Sequence, residues 1–436
     1  MTEPVAAQER HRDRGLTRGI GLFAFTFAII NAVIGAGIFS TPASMAHAAG
    51  SNALLAYLVC AFAMGAVVLC CAEAGSRVPT SGGMYGYVDA AFGPLWGFVA
   101  GVLYWLGAVL AAGGIAAALA DSFAPYIALP TQAARAIVIC GVLLGFTLIN
   151  AIGVKAASRI IGLATALKLL PLLLFVGVGL FHIEPAKLHE SGAVDPNGIG
   201  RAIILAIFAF QGIETPLGAS GEVANPARNL PRALFLSMLS VTALYVAIQV
   251  VSQGLLGAAL ASSTTPLADA FARIDPRLGL VMLAAATVSR MVWLGSDTLG
   301  SPRTLFAFGR DGFLPSFFGQ VTKGGVPLVA TLTHVVIAIA LALTGTFEKL
   351  AVLSALPTVL LYIMACAAAW RLSRNNIALA GEPFRLKGLT VWVAIGILSM
   401  AAVIALAKPD EMIALLATVI VTIALYFVMK LFRGRA

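Results

Sequence analysis

Apolar residues fall in long unbroken runs, and polar residues gather in short clusters between them. A hydrocarbon core about 30 Å thick takes about 20 apolar residues per helix. By that measure the pattern predicts about twelve spans, at 19–48, 52–76, 94–122, 132–151, 157–181, 198–222, 232–257, 278–308, 326–345, 349–371, 389–407 and 411–432. The first run, from Gly19 to Met45, is too long for the ~7–15-residue core of a signal peptide and is expected to stay as a membrane helix. The span at 278–308 is the least regular, because it carries Arg290, Asp297 and Arg303. The fold class expected is an all-α membrane protein.

Composition sharpens this reading. The 436 residues are 60% hydrophobic and only 11% charged, too few charges to cover the surface of a water-soluble fold of this length. The net charge of +9 is not gathered into a patch, which excludes nucleic acid as a partner and leaves the lipid bilayer. The basic residues lie in alternate loops: Arg10, Arg12, Arg14 and Arg18; Arg77; Lys155 and Arg159; Arg228 and Arg232; Arg310 and Lys323; Arg374, Arg385 and Lys387; and Lys430, Arg433 and Arg435. The positive-inside rule puts that set, with both termini, in the cytoplasm of a bacterial-type inner (plasma) membrane. Cys60, Cys70, Cys71, Cys140 and Cys366 sit in apolar runs and read as small hydrophobes. No metal-ligand spacing, Walker A motif, nucleophile elbow or H-E-x-x-H occurs, so neither an enzyme nor a metal or organic cofactor is expected. No residue pattern assigns an oligomeric state.

Three features inside the spans carry candidate chemistry. The first is Asn31 to Phe39, Asn-Ala-Val-Ile-Gly-Ala-Gly-Ile-Phe, in the middle of the first span. Gly35, Ala36 and Gly37 invite a helix break. Backbone N–H groups freed at membrane depth are tolerated only where they line a cavity or meet a ligand. The half-helix after such a break offers a positive dipole end to a carboxylate. Tight helix packing through small residues is the competing reading, and it is the expected one for the GxxxG pairs Gly97/Gly101 and Gly141/Gly145. The second feature is Phe208 to Pro216, Phe-Ala-Phe-Gln-Gly-Ile-Glu-Thr-Pro, which places Gly212, Pro216 and the acid Glu214 inside the sixth span. Gly/Pro-interrupted helices in matching positions of two halves point to a transporter binding site. Glu214 is either a direct participant or a structural carboxyl bonded to freed backbone. The third is Lys168, near the middle of the fifth span and roughly 20 Å from its ends at 1.5 Å rise per residue, too deep for its stem to reach water. Glu73 and Glu222, near helix ends, are expected to be interfacial partners of arginine.

Four stretches together make the chain resemble the amino acid–polyamine–organocation (APC) transporters over essentially its whole length. They are Ile34 to Pro42, Ala72 to Val88, Phe208 to Glu214 continuing through Gly221 to Arg232, and Arg303 through Gly309 to Pro315. The resemblance implies a leucine-transporter-type 5+5 inverted repeat. Residues 1–18 would be a cytoplasmic tail, 19–181 the first repeat, 198–371 the second, and 389–432 two peripheral helices. It also implies a substrate site of Val33, Ile34, Gly35, Ala36, Gly37 and Ile38 with Phe208, Ala209, Phe210, Gln211, Gly212 and Glu214. There the N–H groups of Gly35, Ala36 and Gly37 would take the substrate carboxylate, and carbonyls of Phe208, Ala209 and Gln211 the amine. Phe208 resembles the family's gate. Lys168 matches a lysine that replaces a sodium ion between spans one, five and eight. The sequence departs from many relatives at Ala36, where they carry Ser, and at Gln211, where they carry a small residue. The function implied is secondary active amino acid transport by alternating access, with protons as coupling partner. The alternatives are an amino acid or polyamine exchanger, or, from another class, a membrane sensor or channel.

Overall fold

The computed structural model describes residues 19–35, 37–80, 82–124, 127–152, 168–190, 196–322, 326–379 and 381–433. Helices make up nearly all of these segments, and the one β-bridge among them joins Ile20 to Val223. The first predicted span is divided. Helix α1 (Leu22–Val33) ends in a break, a 3-10 turn follows at Gly37–Phe39, and α2 (Thr41–Ala49) completes the crossing. Helix α3 (Ala53–Arg77) is the second span. A short helix α4 (Gly83–Phe92), not foreseen as a separate element, precedes α5 (Pro94–Phe123) and α6 (Thr131–Ile152). The fifth span is described only from Lys168, which stands at the start of α7 (Leu169–Gly179).

The second half repeats the order. Helix α8 (Pro196–Phe210) stops at a break, and the one-turn α9 (Glu214–Leu217) continues the sixth span. Then come α10 (Pro226–Leu256), α11 (Pro266–Ala272) and α12 (Pro276–Gly300). The irregular eighth span passes at Ser301–Pro302 into α13 (Pro302–Arg310), where proline lacks the N–H that would carry the ladder through while Ser301 keeps helical dihedrals. Helices α14 (Leu328–Thr344), α15 (Phe347–Arg374), α16 (Leu389–Ala405) and α17 (Pro409–Arg433) follow. Among the described residues, seven helical rods are long and apolar enough to cross a membrane, and five shorter apolar helices supply the rest of the predicted spans.

Small residues bring the central helices together. A Cβ added at Gly107 of α5 would meet the Thr358 hydroxyl of α15 at 2.7 Å, and one at Gly113 would meet Leu341 of α14 at 2.9 Å. In lipid, where burying apolar surface adds little, such close approach supplies the cohesion. Gly97 and Gly101 also pack as expected, against Asp89 and Phe308. Gly141 and Gly145 do not; nothing lies within 4 Å of a Cβ at either, so the same spacing faces open space there. Phe23, Phe62, Leu148, Leu398 and Ile420 are exposed, the apolar belt a bilayer covers.

At one end of α3 a buried ionic clasp ties the helix to the chain after α15. Glu73 accepts from Arg77 Nε at 2.8 Å and from the Leu386 N–H at 2.6 Å. Arg77 donates onward to the Ser373 hydroxyl at 3.1 Å and the Ile377 carbonyl at 3.3 Å. Both charges are nearly inaccessible, at 1% and 2% exposure. Removing one partner strands the other, so Glu73→Ala is expected to destabilise the fold by about 3–5 kcal/mol, read by chemical denaturation in mixed micelles. Glu222, by contrast, contributes its backbone carbonyl, which accepts from Ile20 N–H.

Candidate functional site

The break after α1 is a tight inverse γ-turn. Ile34 has φ −72° and ψ 67°, and the Gly35 N–H closes on the Val33 carbonyl at 2.6 Å. The break after α8 centres on Gly212, whose φ of +119° is a region L side chains rarely adopt. A Cβ there would meet the Ala32 carbonyl oxygen at 2.6 Å. Glycine is therefore required twice at this position, by conformation and by contact, and the two broken helices touch through it. Tyr245 of α10 holds both breaks together, its hydroxyl lying 2.8 Å from the Val33 carbonyl and 3.0 Å from that of Ala209.

Between the breaks lies a cavity of about 310 Å³. Of the residues expected at the site, Val33, Gly35, Gly37, Phe208, Ala209, Gln211, Gly212, Glu214 and Lys168 line it. Ile34, Ile38 and Phe210 are buried outside its wall. Phe210 stands two residues, about 200° of helix rotation, from Phe208, and packs instead on Tyr57 and Tyr245. Ala36 lies outside the described residues. Phe208 lines the cavity, with a Cβ on Gly37 reaching its ring at 2.9 Å and its ring packed edge-on with that of Phe347 at 5.6 Å.

The polar groups are individually anchored. Glu214 accepts from the Gly212 N–H at 3.1 Å and from the Tyr362 hydroxyl at 3.0 Å, so its carboxylate braces the second break. Gln211 pairs with Ser354, donating to its carbonyl and accepting from its hydroxyl, both at 3.1 Å. Lys168 is buried, and its ammonium donates to the Asn31 carbonyl in the last turn of α1. Sequence reasoning missed Tyr245, Tyr362, Ser354 and Trp293. The indole of Trp293 lies 3.0 Å from where a Gly35 Cβ would be. The irregular charge pattern of the eighth span was the one available signal for that wall.

A second cavity, of about 630 Å³, lies against the first and shares Tyr104, Glu214, Thr215 and Gly300 with it. Its far wall carries Arg303, Arg310 and Asp311. The Tyr104 and Thr215 hydroxyls stand 3.4 Å apart between the two. The first cavity, with backbone dipoles of two helix ends at hand, can seat a small zwitterion: N–H groups for a carboxylate, carbonyls at the end of α8 for an ammonium.

The chain matches the amino acid permease family over residues 20–429 and belongs to it. Its fold is that of the APC transporters, and it is a multi-pass membrane transporter of amino acids rather than an enzyme. Among its relatives, the branched-chain amino acid permease BcaP of Bacillus subtilis (strain 168) is 29% identical over 352 residues, 73% of each chain. The transporter Rv1999c of Mycobacterium tuberculosis (strain ATCC 25618 / H37Rv) is 30% identical over 428 residues, 97% of this chain and 93% of its own. The serine/threonine exchanger SteT of Bacillus subtilis (strain 168) is 29% identical over 383 residues, 83% of this chain and 85% of its own.

Proposed function

We propose that the protein takes up a neutral amino acid by proton-coupled alternating access, with the cavity between the two helix breaks as its substrate site. The observation that carries this reading is the contact of Gly212 with Ala32, which joins both breaks at one pocket with Lys168 in its wall. The Gly37 end of the first break would take the carboxylate, since the Gly35 N–H is already closed on the Val33 carbonyl, and the carbonyls at the end of α8 the amine. Val33, Ala108, Ala111, Ile115, Phe208 and Trp293 give the pocket an apolar lining suited to an aliphatic side chain. A branched-chain permease among the relatives supports that class. Residues 19–181 and 198–371 form the two inverted halves, and 389–432 the peripheral pair. The chain would lie in a bacterial inner membrane with both termini cytoplasmic, so that the larger cavity opens inward and Phe208 closes the outer side.

Exchange is the second reading, favoured by the serine/threonine exchanger among the relatives. The test is a thermal-shift screen of the purified protein against all amino acids and common polyamines, followed by uptake of the hits into liposomes with and without internal counter-substrate. Symport needs none inside; exchange does. Uptake of no amino acid at all would overturn both. Phe208→Ala tests the gate. Substrate affinity is expected to hold within about threefold, the lost edge-on ring contact being worth about 0.5–1.5 kcal/mol of packing, while turnover falls because the outer side no longer seals. Equilibrium binding and initial uptake measured on one preparation separate the two; unchanged turnover would leave Phe208 as packing alone.

A further inference from the structure

In the wall of the cavity that Lys168 also lines, α12 presents a carboxylate that neither the substrate site nor the lysine uses. Asp297 is buried in that wall. One of its oxygens accepts from the Ser301 hydroxyl at 2.5 Å, and the other lies 2.8 Å from Nε2 of His334 on α14, itself 1% exposed. The second ring nitrogen of His334, Nδ1, is buried with no hydrogen-bond partner among the described residues. The indole Nε1 of Trp105, on the ring that meets the His334 imidazole edge-on at 6.4 Å, is likewise buried without one. A carboxylate and an imidazole are thus held together in the membrane interior, reached from the substrate cavity through Asp297 and closed behind by Trp105.

We propose that Asp297 and His334 form a single-proton site that fills when substrate enters the cavity and empties when it leaves. The inference rests on the amino acid transport reading given above. With Nε2–H donating to the carboxylate, the pair carries one negative charge; one added proton makes it neutral. An uncompensated charge inside a bilayer is costly, and a neutral or internally paired group much less so. Water in the cavity offsets that cost while the site is empty. A substrate that displaces this water favours the protonated, neutral pair, which links the two occupancies reciprocally.

The groups facing the pair permit this. From α5 come the Trp105 indole and the Tyr104 hydroxyl, which stands 3.4 Å from the Thr215 hydroxyl between the two cavities. Arg290, two turns away on α12, is engaged by the Ser122 and Ser40 hydroxyls at 2.8 Å each. Arg303 of α13 faces the second cavity, and Glu214 and Lys168 stand elsewhere around the first. Thr358 comes from α15. The proton also has a mechanical reading. Ser301 is the joint between α12 and α13, and a proton on the oxygen it donates to turns that oxygen into a donor. The hydrogen bond then reverses, the Ser301 hydroxyl accepting where it had donated, so the protonation is registered where α12 meets α13.

The test is substrate-linked proton uptake by the purified protein in weak buffer, followed with a pH-indicating dye, using an amino acid that binds the wild type. The expected result is that Asp297→Asn and His334→Gln each take up about one proton fewer per substrate bound than the wild type. Titration of the substrate-free protein, followed by infrared bands of the carboxyl and imidazole, is read alongside, so that a variant that folds poorly does not decide the matter. One proton is expected to enter the pair in the wild type and its signals to vanish in either variant. Proton uptake equal to wild type in both variants, or no proton entering the pair between pH 5 and pH 9, overturns the site while leaving amino acid transport intact. Failure of the wild type to bind any amino acid overturns the transport reading itself and this linkage with it.

Discussion

Gly37→Leu is expected to lower substrate affinity at least ~100-fold. Two effects add. The leucine side chain starts where the Phe208 ring already stands, since even a Cβ would lie 2.9 Å from it, so the ring or the turn must move. Overpacking of this kind costs about 1–3 kcal/mol. The added side chain also occupies the space in which a carboxylate would meet the N–H groups of the first break, and a charge-assisted contact is worth about 1.5–3 kcal/mol. Together these come to about 2.5–6 kcal/mol, against the roughly 2.7 kcal/mol that a hundredfold change requires. Folding should suffer less, because Gly37 lies in a 3-10 turn at the cavity edge rather than within a helix. Isothermal binding of the best amino acid from the thermal-shift screen checks it. Affinity within threefold of wild type would remove the first break from the substrate site.

Lys168→Ala is expected to abolish accumulation driven by an inward proton gradient. For one coupled proton, a gradient of one pH unit supports about tenfold accumulation, since that is 1.36 kcal/mol. The lysine ammonium donates to the Asn31 carbonyl and so bridges the start of α7 to the end of α1 beside the break. On the proposed proton coupling its charge does a bound cation's work there, and losing the proton would loosen that bridge. Binding should survive in the mutant, because Lys168 lies beside the seat proposed for the zwitterion. The measurement is labelled uptake at fixed internal pH and varied external pH. Proton-driven accumulation that persists in the mutant would show that the lysine is not required for coupling and leave it to Glu214 and the Asp297–His334 pair. Uptake that ignores the gradient and needs internal counter-substrate would establish exchange, with Lys168 a fixed structural cation.

Much of this was legible in the chain before any tertiary contact was known. The apolar runs counted the spans, because membrane insertion sums a property of each residue over a local window. Glycine and proline at Gly35, Gly37, Gly212 and Pro216 marked the two breaks, because their effect on the backbone needs no partner. Lys168 stood out for the same reason: a lone cation in an apolar run is anomalous whatever surrounds it. The tertiary structure decided what depends on rotation about helix axes and on residues distant in sequence. Gly97/Gly101 and Gly141/Gly145 share a spacing, yet only the first pair meets a neighbour. Phe208 lines the cavity while Phe210 does not. Tyr245 bridges both breaks from a helix whose pattern announces nothing. Asp297 and His334 are 37 residues apart on separate helices and become one site only where those helices cross. Hydropathy and backbone propensity are local and additive, so a sequence carries them openly. A pairing between side chains exists only once packing has fixed which face of each helix, at 100° per residue, turns toward which neighbour.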